Sequence, residues 1–195
     1  EGTRMLHFGS VSLTEDPART AVLRAAGRAR ALGKLVSYDP NYRAPLWRSG
    51  EEARRRMLEP LPLVDLLKLS QEELPLLSGT ENLEEGTARL TAAGPRLVLV
   101  TLGAEGVFYR WQGRTGRVPG VPVAVADTNG AGDSFLGAVL SRLARRCGEC
   151  PLDAMECGEL EEILAFANRA AALTCSRRGA IPAMPTLTEL EGDHP

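Results

Sequence analysis

The residues best suited to chemistry lie in one seven-residue stretch, Asp127-Thr128-Asn129-Gly130-Ala131-Gly132-Asp133, between an apolar run and an amphipathic one. Glycines at 130 and 132 let the backbone turn tightly and remove side chains that would block an approaching anion. A helix opening at Gly130 leaves its first N–H groups without intrahelical acceptors, and these groups favour a phosphate. Asp133 falls inside that first turn, where the helix dipole stabilises its carboxylate. There it can accept a proton from a hydroxyl while the N–H groups neutralise charge on a transferred phosphoryl group. Arg142, Arg145 and Arg146 fall in the last turn, which suits the opposite end of the dipole. The same residues also make an ordinary helix start with an acidic first turn, and composition alone leaves both readings open. The stretch is not a Walker A loop, since no Gly-Lys-Ser/Thr follows, and it lacks the third glycine of a dinucleotide turn.

Such a turn needs a scaffold. Met5–Phe8 reads as a buried strand ending at Gly9-Ser10, and Asp16-Pro17 as the start of a helix closed by Gly33. Leu35–Tyr38 is the next strand, which makes a right-handed parallel crossover. The pattern repeats with a helix over 51–58 and a strand over 63–69, after which Ser70 caps a helix beginning at Gln71. A helix over 84–93 and a near-continuous apolar strand over 97–101 follow. Then the period changes: 106–111, the turn Gln112-Gly113 and 114–118 read as an antiparallel hairpin. A further strand is expected over 121–125, with helices over 130–146 and 159–174. The sum is a single α/β domain without internal repeats.

Composition sets outer limits. The 195 residues carry 23 Lys+Arg against 25 Asp+Glu, a net charge of −2 that argues against a dedicated nucleic-acid protein. No run reaches the roughly 18 apolar residues of a membrane span. Four cysteines are too sparse for a disulfide scaffold, which points to a reduced, cytoplasmic setting. His7 and His194, the only histidines, form no metal or triad pattern. Cys147, Cys150 and Cys157 lack the second pair of a zinc site and read as surface thiols. Arg54-Arg55-Arg56 reads as a solvated helix face.

Five ordered motifs together resemble the ribokinase-like (PfkB) carbohydrate kinases. Residues 127–133 resemble the family's C-terminal signature. Asp39-Pro40-Asn41-Tyr42-Arg43 with Leu46-Trp47 resembles a segment of bacterial fructokinases and 2-keto-3-deoxygluconate kinases. Lys68-Leu69-Ser70-Gln71-Glu72-Glu73 resembles the Asn-x-x-Glu motif and its lead-in, with Ser70 standing where the family often has asparagine. Thr101-Leu102-Gly103-Ala104-Glu105-Gly106 resembles the Thr-x-Gly element, and Phe166-Ala167-Asn168 with Gly179-Ala180-Ile181-Pro182 the terminal helix and its loop.

The resemblance implies a three-layer α/β sandwich with a mostly parallel central sheet and a small antiparallel hairpin. It implies ATP-dependent phosphorylation of a sugar, fructokinase-like, with a sugar-acid kinase and an inactive nucleotide-binding fragment as alternatives. Asp133 would be the general base, and the backbone of Gly130, Ala131 and Gly132 the anion hole. Asn41, Arg43, Ser70, Glu73, Thr101, Gly103, Gly106 and Asn168 would line the nucleotide. Glu73 would organise Mg²⁺ through water, and Asp127 and Thr128 would lie by a monovalent cation such as K⁺. The expected partner is a small-molecule sugar, with no nucleic acid, no membrane and a homodimer in the full-length form. The chain matches only the C-terminal two thirds of the family pattern, so the resemblance implies a piece without the first strands, the β lid and most sugar contacts.

Overall fold

Leu35–Asp39 (β2), Leu66–Ser70 (β3) and Leu97–Thr101 (β4) are mostly apolar and almost entirely buried, as strands covered by helices must be. With Met5–Gly9 (β1) they form the parallel part of a six-stranded sheet of order β1-β2-β3-β4-β5-β6. Val107–Trp111 (β5) and Arg114–Val118 (β6), joined at Gln112-Gly113, add the antiparallel end. Gln112 and Gly113 both have left-handed φ, 49° and 77°, the geometry that a two-residue hairpin turn requires.

The computed structural model describes residues 2–146 and 152–192. The chain divides into two compact units, residues up to 101 with 108–116, and residues 102–107 with those from 117 onward. In the first unit, Ala18–Ala31 (α1), Gly50–Leu58 (α2), Leu74–Ser78 (α3) and Leu83–Ala92 (α4) connect successive parallel strands. Each crossover advances by one strand in the same direction with the same hand, which puts these helices on one face of the sheet. Tyr38, Leu67, Leu69, Val98 and Val100, which share one face of the sheet, are fully buried. In the second unit, Ala131–Arg146 (α5) packs on Cys157–Cys175 (α6), and Phe135, Val139, Leu143, Leu160 and Leu164 are buried on the two helices. The short Leu187–Glu191 (α7) follows.

Four expectations are corrected. Residues 121–125 form no strand: Pro122 has no N–H for a ladder, and Val121, Val123 and Val125 are exposed, Val125 by 64%. β3 begins at Leu66, because Leu61–Leu63, with Pro60 before it and Pro62 within it, makes a 3₁₀ turn. Ser70 does not cap a helix at Gln71. Residues 71–73 are a turn, α3 starts at Leu74, and the Glu73 carboxylate turns back to the Ser70 N–H. Helix α1 starts after Pro17, with the Asp16 carboxylate accepting the N–H and hydroxyl of Thr20. Helix α7 was not anticipated, although Thr186 and Glu189 form the capping box that announces it. Cys147, Cys150 and His194 lie outside the described residues.

Candidate active site

The glycine turn belongs to the second unit. Gly130 takes φ +79°, so the chain reverses there before α5 begins at Ala131. The Ala131 N–H donates to the Thr128 carbonyl at 3.3 Å and the Ser134 N–H to the Gly130 carbonyl at 2.8 Å. Gly132 and Asp133 lie between them, in the part of the first turn that has no intrahelical acceptor. The Asp133 side chain is exposed beside them.

Asp127 holds this turn in place. One carboxylate oxygen accepts the Asn129 N–H at 3.0 Å and the other accepts the Gly179 N–H at 3.0 Å. These two N–H groups, Asn129 first, hold the carboxyl below its usual range. The Cys175 carbonyl accepts the N–H groups of Ala126 and Asp127 at 2.8 and 3.2 Å. The loop after α6 therefore fixes the approach to the turn. The hydroxyl of Thr174 donates to that of Ser134 at 2.7 Å, joining the end of α6 to the start of α5.

Gly103, Gly106 and Asn168 fall in the same unit. Gly103 and Gly106 have φ of +58° and +97°, and a side chain at Gly106 would reach within 2.2 Å of the Val118 carbonyl. Asn168 is buried, and its amide donates to the carbonyls of Val118 and Pro119 at 3.1 and 2.9 Å. Its visible role is to hold the 118–119 backbone beside the 103–106 turn.

Asn41, Arg43, Ser70, Glu73 and Thr101 lie in the first unit, at or just beyond the C-terminal ends of β2, β3 and β4. That edge of a parallel sheet is where ligands bind in open α/β folds. The Glu73 carboxylate bridges two loops, accepting the Tyr42 N–H at 2.6 Å and the Ser70 N–H at 2.7 Å. Each oxygen keeps a further lone pair, which fits a hydrogen bond from the water shell of a divalent cation. No group of three or more His, Cys, Asp or Glu that could enclose a metal ion occurs among the described residues. Arg43 is exposed, Asn41 adopts φ +45°, and the Thr101 carbonyl accepts the Gln71 N–H at 3.0 Å.

Two residues here escaped the reading of site residues. Asp39, at the end of β2, and Lys68, in the middle of β3, form an ion pair of 2.8 Å with only 4% and 6% of each residue exposed. One step beyond the Tyr38–Leu67 pairing of these strands brings them side by side. Burial pushes the Asp39 carboxyl above its usual range, against the pull of Lys68. The signal in the sequence was a lysine inside an apolar strand, which must find a buried partner. The neighbouring Tyr38 is stacked on Phe8, and burial drives its phenol well above the ordinary value.

A parallel sheet with polar loops at its carboxyl edge, and a separate glycine turn that opens a helix with unclaimed N–H groups, define an α/β protein with a candidate phosphate site. The chain belongs to the pfkB family of carbohydrate kinases, whose model matches residues 2–187. It is 41% identical over 187 residues to Fructokinase-1 of Oryza sativa subsp. japonica, covering 95% of this chain and 57% of that one. The fructokinase of Xylella fastidiosa, solved with bound ATP, superposes with a TM-score of 0.89 at 33% identity, over 96% of this chain and 60% of the other. The fructokinase of Vibrio cholerae O395, solved with fructose, ADP and calcium, gives 0.86 at 33% identity, over 95% and 59%. The fold is therefore ribokinase-like, as the motifs implied. The chain spans little more than half the length of these relatives. No helix among the described residues is long and apolar enough to cross a membrane.

Proposed function

We propose that this chain supplies the nucleotide-binding and catalytic part of an ATP-dependent sugar kinase of fructokinase type. The observation that carries the reading is the turn at 127–133, a left-handed glycine followed by a helix start with unclaimed N–H groups and an exposed aspartate. Asp133 takes the proton from the attacking sugar hydroxyl, which raises the nucleophilicity of that oxygen. The backbone of Gly130, Ala131 and Gly132 faces the charge that develops on the phosphoryl oxygens. Gly103, Gly106 and Asn168 shape the wall along which the nucleotide lies, and Asn41, Arg43, Ser70 and Thr101 line the carboxyl edge of the sheet. Glu73 receives hydrogen bonds from the hydration shell of Mg²⁺, which when bound neutralises phosphate charge. Asp127 and Thr128 stand beside the position proposed for a monovalent cation. A cytoplasmic setting and a homodimer of the full-length form complete the proposal, supported by the sparse cysteines and the family resemblance respectively.

The test is ADP release by the purified chain with Mg-ATP and K⁺, across fructose, ribose and 2-keto-3-deoxygluconate, beside Asp133→Asn. Fructose-dependent turnover that the substitution abolishes would carry the kinase reading in full. Preference for 2-keto-3-deoxygluconate would move the assignment to a sugar-acid kinase, for which the exposed Arg43 would be the acid-binding group. Nucleotide binding by a folded chain without turnover on any sugar would leave a nucleotide-binding piece. A folded chain that binds no nucleotide would overturn the kinase reading.

A further inference from the structure

A buried ion pair is a poor way to hold two strands together. Desolvation of the charges offsets their attraction, and well-packed apolar side chains of the same volume usually serve as well or better. The Lys68–Asp39 pair therefore calls for a reason other than packing, and its surroundings supply one. The second oxygen of Asp39 accepts the Asn41 N–H at 3.1 Å, which pins the left-handed Asn41 just beyond β2. The next N–H, that of Tyr42, donates to Glu73 at 2.6 Å. The other oxygen of Glu73 accepts the N–H of Ser70, two residues beyond Lys68 on β3. The Ser10 N–H donates to the Pro40 carbonyl at 3.2 Å and ties the same loop to the end of β1. Lys68, Asp39, the 41–42 backbone, Glu73 and Ser70 thus close a ring of contacts across the carboxyl ends of β2 and β3.

The ring contains two carboxylates close enough to repel each other. Lys68 touches only Asp39 in it. It neutralises the inner carboxylate and keeps it turned to the Asn41 N–H, so that Asp39 adds no uncompensated negative charge beside Glu73. We propose that Asp39 and Lys68 are positioning residues, which set the 40–43 loop and Glu73 in the arrangement that receives the hydrated divalent cation of Mg-nucleotide. The inference rests on the kinase reading and deepens it: affinity for the metal–nucleotide complex is governed by a pair that touches neither metal nor nucleotide.

The experiment compares two double variants with the wild-type chain by thermal melting and by calorimetric titration of ADP, with and without Mg²⁺. Asp39→Leu/Lys68→Met replaces the pair by apolar side chains and removes the acceptor for the Asn41 N–H. Asp39→Asn/Lys68→Met removes both charges and retains the acceptor. Both variants are expected to melt close to wild type. The first should bind Mg-ADP about tenfold more weakly with little change for metal-free ADP, and the second should stay within about threefold of wild type. Equal binding of Mg-ADP by the first variant and wild type overturns the inference alone. Equal loss in both variants also overturns it, because the acceptor would then do nothing. Loss of folding in the first variant with wild-type melting in the second assigns the pair to stability and overturns the positioning role. A wild-type chain that binds no Mg-ADP overturns the kinase reading and this inference with it.

Discussion

The carboxylate of Asp127 accepts the backbone N–H of Gly179 at 3.0 Å, across 52 residues of sequence. With its other oxygen on Asn129, Asp127 joins the start of the glycine turn to the loop that follows α6. Asp127→Ala removes both acceptors and frees the turn, so nucleotide affinity should fall about tenfold, whereas Asp127→Asn, which keeps one good acceptor, should fall less. Isothermal titration with ADP on the two variants checks the order.

Gly130 should resist a side chain. Its φ of +79° is costly for any residue with a Cβ, and that atom would come within 3.2 Å of Ala180. Gly130→Ala is expected to cost about 1–2 kcal/mol of stability and to weaken ADP binding at the same time. Denaturant melts beside titrations measure both. An alanine variant as stable and as tight-binding as wild type would contradict the turn geometry.

Asp133 is exposed in the first turn of α5 and takes no part in the core. Asp133→Asn should therefore leave the melting temperature and ADP affinity almost unchanged while lowering sugar-dependent turnover by about 10²–10⁴-fold. A parallel loss of affinity would assign the residue to binding instead.

Leu164 is fully buried on α6, in the layer where α5 packs. Leu164→Ala should destabilise the fold by about 2–5 kcal/mol, through lost apolar contact and the cavity left behind. Chemical denaturation with an unchanged m-value is the readout.

Helix α7 should loosen in acid. Arg177 first, with the N–H and hydroxyl of Thr186, lowers the Glu189 carboxyl from 4.5 to about 2. A carboxyl depressed in the folded state stabilises above its unfolded value and loses that effect as pH falls through the folded one. The Thr186 amide should thus stay protected from exchange above pH 4.5 and lose protection between 4.5 and about 2. Glu189→Gln should remove that pH dependence.

The parallel strands, most helix boundaries and the glycine turn were readable because their causes are local. Apolar runs bounded by turn residues specify β2 and β4, and Gln112-Gly113 specifies the hairpin whatever the rest of the chain does. The run at 121–125 misled because alternating valines satisfy the local preference for a strand. A strand also needs N–H groups and a neighbour, and Pro122 removes one of the donors. At Ser70 the motif was visible and its use was not. The short acid–hydroxyl spacing suits a capped helix, yet Glu73 turns toward two backbone N–H groups, one of them Tyr42, 31 residues away.

By itself, then, the sequence determined a glycine turn into a helix at Gly130–Asp133, a parallel scaffold, and motifs specific enough to name the family. Glycine φ values, helix starts and apolar periodicity depend on neighbours a few residues apart, and that information is written along the chain. Tertiary structure alone decided that Asp39 meets Lys68, that Tyr42 and Ser70 share one carboxylate, and that Asp127 reaches Gly179. Those contacts depend on strand register and on loops that meet only when the units fold. A buried charge or a free N–H can be satisfied by any partner brought within about 3 Å, and packing selects which one.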